Sequence, residues 1–256
     1  MSYWKPETET SPRPSISPKQ GKDLYLKSYL VMRAVIGFIG ILLPAALLLG
    51  DWTFLDGDVR VRGSLSAYYH SGMRDLFVGG LCAIALFLIT YKVFEHNLDN
   101  TLSTVAGLAI LGVAFFPTGR PAGSPLSLTP LQDQLGESNV TRTHFVFAAI
   151  SIVSLAWISY FFGVREGRRP PAEGKRPPGF WRWFHWICAS VIALAVAFIV
   201  LTKVSGWFDD YSVLIGEVVA LLAFGVSWLW KGLEMDVLKA PVVVPEGPEV
   251  VVAGPA

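Results

Sequence analysis

Residues 28–50 read SYLVMRAVIGFIGILLPAALLLG, 23 positions that are apolar almost without a break. A helix needs about 20 such residues to cross a hydrocarbon core of about 30 Å. The run therefore predicts a membrane-spanning helix. It reads as a retained anchor rather than a cleaved leader, because it has full spanning length and the residues ahead of it are polar and Pro/Ser-rich. Pro44 removes one backbone donor inside the run and predicts a kink near the outer end of the helix.

Five more apolar stretches follow: Met73–Phe94, Thr101–Phe116, Thr143–Gly163, Arg182–Val204 and Asp210–Trp230. The second of these is the short one, stopped by Pro117. The expected fold is all-α, a polytopic bundle of six transmembrane helices over residues 28–232. Polar or Pro/Val-rich tails at 1–27 and 233–256 lack a helical period and are expected to be disordered. Composition agrees, with 52% hydrophobic residues, 16% charged residues and a mean hydropathy of +0.48. A net charge of +1 gives no reason to expect nucleic acid as a partner; membrane lipids are the expected surroundings. Cys82 and Cys188 fall at different depths of the bundle and are expected to pack as free thiols.

Lys and Arg set the orientation. Of the 21, 15 fall on the side of the two termini, and six (Arg60, Arg62, Arg74, Arg120, Arg142, Lys203) on the other. The positive-inside rule then places both termini in the cytoplasm and the protein in the plasma (inner) membrane. The cluster Arg165, Arg168, Arg169, Lys175 and Arg176 is the strongest inside mark. Trp181, Trp183, Trp186, Trp228 and Trp230 fit an inner aromatic belt; Trp52, Tyr68, Tyr69 and Trp207 fit an outer one. Small residues mark helix contacts along Gly216, Ala220, Ala223 and Ser227, and along Ala106, Ala109 and Gly112. His144, Ala148, Ser151 and Ser159 share one face, expected to look inward.

Ionisable groups inside such a bundle are costly and mark sites. His70, Asp75, His144 and Glu217 all fall toward the outer side and are the candidate acid–base or catalytic groups. Ser66, Arg74 and Thr118 are candidate ligand-binding residues beside them. Each has a blander reading: Asp75 lies in the first turn of its helix, favoured by the dipole, and Arg74 can pair with a neighbouring acid. Glu217 sits well inside the last span, where a carboxylate calls for a cationic partner or a raised pKa. Two imidazoles and two carboxylates are donors of the kind that hold zinc, the one cofactor considered. No H-x-x-x-H or H-E-x-x-H pair fixes two of them on one helix, and phosphate-loop, dinucleotide, nucleophile-elbow and C-x-x-C motifs are absent from the sequence.

The stretch Ser64–Gly79, with Phe116-Pro117-Thr118, His144-Phe145 and Gly225–Gly232, resembles a group of uncharacterised multi-pass bacterial membrane proteins. Their pattern is S-x-S-x-Y-Y-H-x-x-x-R-D-x-F-V-G, then F-P-T, H-F and G-x-S-W-L-x-K-G. The likeness implies a fold and a location, and no activity. Ser66 and His70 also show a fainter similarity to the S-x-x-x-H element of the alkaline ceramidase and progestin-receptor-like membrane hydrolases, with Asp75 in the place of the acid. That family has seven spans and a histidine pair in its last helix, where this chain has six expected spans and Glu217.

The leading expectation is an outer-facing polar pocket that binds or processes a lipid-like or small amphiphilic ligand. A small proton-coupled transporter or channel built on Glu217 is the second reading. A non-catalytic accessory or sensor protein with a structural polar cluster is the third.

Overall fold

The structure is a computed structural model that describes residues 18–54, 61–91, 98–121, 126–168, 178–208 and 210–234. The expected tails outside 18–234, the outer Arg60, the inner Lys92 and Glu95, and Arg169, Lys175 and Arg176 lie outside the described residues. Among the described residues every element is helical: α1 (Pro18–Phe54), a 3-10 turn (Ser66–His70), α2 (Arg74–Thr90), α3 (Leu98–Phe115), α4 (Pro130–Leu135), α5 (Glu137–Glu166), α6 (Pro178–Ser205) and α7 (Ser212–Glu234). Four stretches are long and apolar enough to cross a membrane: Val31–Thr53, Glu137–Glu166, Gly179–Ser205 and Ser212–Lys231. α2 and α3 are shorter, at 17 and 18 residues.

Helix limits move where capping chemistry decides them. α1 begins at Pro18, ahead of the run from Ser28, and continues through Pro44. The short α4 has a capping box in which Thr129 and Gln132 exchange side-chain and backbone hydrogen bonds, with Pro130 in the first turn. Gly136, at φ 84°, then turns the chain directly into α5. α5 therefore starts at Glu137, six residues before Thr143.

Six helices form a closed ring in the order α1, α2, α3, α5, α6, α7 and back to α1, and α5 also touches α7 across the interior. Each neighbouring pair runs antiparallel, and the side contacts fix the register. Gly50 meets Met73 and Gly80 meets Leu43 between α1 and α2. Ser103 bonds the Leu88 carbonyl between α3 and α2. Gly112 meets Phe147, Gly163 meets Trp186, and Gly216 meets Ile199 around the rest of the ring. The expected small-residue seams on α3 and α7 do face neighbours, with Ala106, Ala109, Gly112, Gly216, Ala220 and Ser227 all buried. His144, Ser151 and Ser159 are buried too, as the inward face of α5 requires.

The closest approach closes the ring. A Cβ on Gly37 would lie 2.6 Å from the Leu229 backbone nitrogen, and one on Gly225 would lie 3.0 Å from the Gly37 carbonyl oxygen. Neither neighbour can swing away, because both are backbone. The interior fills with Leu47, Ile84, Leu88, Ile158, Ile192, Phe224 and Trp228, each at most 1% exposed. The outer surface is also apolar: Leu42, Leu49, Phe145, Val153, Leu194, Val200 and Leu201 all point outward. Helices apolar on both faces suit a bundle with lipid around it.

The α1–α7 crossing is directly testable. Gly37→Leu should abolish the monodisperse species in size-exclusion chromatography of the detergent-purified protein, since overpacking a rigid contact costs at least about 1–3 kcal/mol. Gly79→Leu, where an added Cβ meets nothing within 4 Å, should leave the elution profile unchanged.

Candidate functional site

At the end of the ring where α1 finishes and α2 begins, residues 61–73 fold back over the bundle. Ser64 Oγ accepts the Ala67 N–H at 3.0 Å and starts the 3-10 turn. The free donors at the head of that turn point to α7. Glu217 Oε2 accepts the Leu65 N–H at 2.6 Å, and Oε1 accepts the Ser66 hydroxyl at 3.4 Å. A carboxylate suits this position because unpaired N–H groups and the dipole of a helical turn favour negative charge. The Leu214 N–H donates to the Gly63 carbonyl at 2.9 Å and pins the same segment to the start of α7.

The two histidines serve the end of α3, His70 from the far end of the turn and His144 from α5. His70 Nε2 donates to the Thr118 carbonyl at 2.7 Å, and the Gln132 amide donates to the same oxygen at 3.2 Å. His144 Nδ1 donates to the Phe116 carbonyl at 2.7 Å. Carbonyls only accept, so His70 carries its proton on Nε2 and His144 on Nδ1. The two acceptors flank Pro117, where α3 has ended and its last carbonyls have no helical partner. The Thr118 carbonyl, rather than its hydroxyl, makes these contacts.

Other charges at this end are paired locally. Arg74 donates to the Tyr69 hydroxyl at 2.7 Å, and Asp75 is exposed in the first turn of α2. Arg62 pairs with Asp51 at 3.3 Å and lies over the Tyr68 ring. Burial raises the Tyr68 pKa above its ordinary value, offset in part by a backbone hydrogen bond from Arg62. Arg120 holds Glu137 through two side-chain bonds of 3.1 and 3.2 Å, which raises the arginine pKa further.

The expected convergence of His70, Asp75, His144 and Glu217 is therefore not what the chain builds. His70 and His144 share one stretch of backbone, Glu217 serves the opposite end of the 3-10 turn, and Asp75 faces outward. Among the described residues no group of three or more His, Cys, Asp or Glu is placed to hold a metal ion, so the zinc-type set does not assemble. The physical reason is competition: the polar ends of the 3-10 turn and of α3 take up the side chains that a metal would need. No protein-family model, curated protein or solved structure matches the chain.

What lies beneath the turn is a cavity. It has a volume of about 90 Å³ and is bounded by all six ring helices, with Leu47, Phe77, Ile84, Val113, Leu155 and Ile192 among its walls. Ser66, Ser151 and Glu217 supply its polar edge, and neither histidine reaches it. Glu217 retains accessible surface although it sits inside the bundle, because it borders this space. Among the described residues no basic side chain forms an ion pair with it.

A second polar cluster, at the opposite end of the ring, escaped the sequence reading. The Arg33 guanidinium lies 4.8 Å from the Phe162 ring centre, 5.5 Å from Tyr91 and 5.6 Å from Trp228. Lys231 and Glu166 form an ion pair with side chains 6% and 1% exposed, and His185 Nδ1 meets the Ser227 hydroxyl at 2.9 Å. Lys231, near the end of α7, is thus buried. The available signal was Arg33, the one charge in the opening apolar run.

Two measurements check these assignments. His144→Ala should lower the thermal midpoint of the purified protein by freeing the Phe116 carbonyl, a loss of about 1–3 kcal/mol, while EDTA leaves the wild-type midpoint in place. In a double-mutant cycle, Glu166→Gln and Lys231→Met should show a coupling of about 1–3 kcal/mol, the double variant losing less than the two singles together.

Proposed function

We propose that this chain is a plasma-membrane protein with six crossings and both termini in the cytoplasm, whose bundle binds a small amphiphilic ligand in its central cavity. Support for the crossings comes from the alternating ring, which brings the short α2 and α3 into line with the four longer helices, and from the excess of Lys and Arg on the side of the termini. Under this orientation the 3-10 turn and both histidines lie at the outer face.

The binding reading rests on one observation: an apolar cavity of about 90 Å³ is edged by a carboxylate that no basic group pairs with among the described residues. Ligand sites are mostly apolar with a few placed polar groups, and this cavity has that character. Its volume limits the guest. An apolar protein cavity of about 150 Å³ accepts benzene, so this one suits a small molecule or the tip of a larger one rather than a whole acyl chain. The hydrogen-bonded histidines are structural in this reading, and Arg74 is held by Tyr69 rather than free to grip a headgroup.

Mass spectrometry of small molecules released from the detergent-purified protein tests the proposal. A compound should co-purify with the wild type and fall roughly tenfold or more in Ala220→Leu, which fills the cavity one turn from Glu217. Ser151→Leu, filling it from α5, should have the same effect. A compound retained at full occupancy in both folded variants would locate binding elsewhere.

A further inference from the structure

We infer that the ligand of this cavity is a small alkylammonium cation, held between the Glu217 carboxylate and the apolar walls; this rests on the binding reading above. The carboxylate already accepts from Leu65 and Ser66, so what it lacks is positive charge, not hydrogen-bond donors alone. Charges taken out of water are retained when a partner of opposite sign completes them. Three arginines at this end of the ring are already engaged: Arg62 with Asp51, Arg74 with Tyr69, and Arg120 with Glu137.

The walls select which cation fits. A metal ion such as sodium or calcium needs several oxygen ligands, and here Glu217, Ser66 and Ser151 are the only side-chain oxygens among the lining residues. An ammonium carrying methyl or ethyl groups needs one carboxylate and otherwise prefers contact with carbon. Phe77 lines the same space, and aromatic rings are favourable neighbours for such a cation. At about 90 Å³ the guest is smaller than benzene, on the order of four or five non-hydrogen atoms, judged against the cavity of about 150 Å³ that holds benzene. The same chemistry occurs in free amines and at the tip of an aminophospholipid headgroup.

The test compares tetramethylammonium chloride with tert-butanol, a neutral molecule of the same heavy-atom count, on the full chain in nanodiscs of phosphatidylglycerol alone. Sodium chloride at equal concentration serves as the ionic control, and the readout is binding followed through the thermal midpoint. The cation should bind at least about tenfold more tightly than the alcohol, and Glu217→Gln should remove that preference. Repeating the titration with phosphatidylethanolamine present separates the sources: a suppressed response identifies the headgroup as the natural occupant, and an unchanged one identifies a free amine. Equal binding of alcohol and cation, lost in Ala220→Leu, would overturn the cation inference and leave the cavity as a ligand site. No binding of either probe would overturn both. The wild-type comparison decides the matter even where Glu217→Gln fails to fold.

Discussion

The ring closes because two helices distant in sequence touch backbone to backbone. Gly37 and Gly40 on α1 face Gly225 and Leu229 on α7, close enough that backbone atoms of the two helices are near neighbours. In lipid, where burying apolar side chains gives no advantage over leaving them among acyl chains, close packing of this kind carries much of helix association. Every other feature inherits from that closure. The first helix delivers the 61–73 segment over the top of the ring, and the last helix carries the carboxylate that receives it. An open ring would leave the central cavity in contact with its surroundings and Glu217 without the backbone donor of Leu65.

The loop end obeys a single accounting rule. Irregular backbone within a membrane protein survives only where its polar groups are satisfied internally. The 3-10 turn exposes donors at its head, and α3 exposes acceptors at its tail. Glu217 answers the first, and His70, His144 and Gln132 answer the second. Neighbouring polar and small residues have tasks in the same architecture: Ser64, Ser66, Tyr69 and His70 in and around the turn, Arg74 at the start of α2, Phe116 and Thr118 as acceptors, and Gly225 at the closure. Of these residues Ser66 also lines the cavity, which Leu65 beside it, Phe77 from α2 and Glu217 from α7 border as well.

The helical class, the position of the four long spans and the inward faces of α3, α5 and α7 were legible in the chain, because spanning length and small-residue spacing are local signals. The partners of the polar residues were not. His70, Asp75, His144 and Glu217 do gather toward one end, but which of them meet depends on a five-residue 3-10 turn whose hydrogen-bond needs no periodicity reveals. The buried cluster around Arg33 was missed for a related reason. A lone charge in an apolar run looks like an exception until Phe162, Tyr91 and Trp228, from three other parts of the chain, are seen to surround it. The Glu166–Lys231 pair is equally invisible in the chain, since sequence does not show that α5 and α7 lean together.

The two polar ends do not join, and this bears on which function the bundle can perform. On α7, Glu217 and Ser227 are ten residues apart, about 15 Å of helix. Beyond the cavity walls stands Phe224, buried in one apolar cluster with Leu88, Ile158 and Trp228. An ion leaving the cavity toward Lys231 and Glu166 would meet this close-packed apolar layer with nothing to replace its hydration. Among the described residues at the opposite end, Glu166 and Lys231 are already joined and Arg33 is surrounded by rings. On the proposed binding reading, a cavity edged by Glu217 and backed by this apolar layer suits a held guest better than a passing one. Conduction through it would require α7 to part from its neighbours, and the glycine contact with α1 is the feature that opposes such a movement.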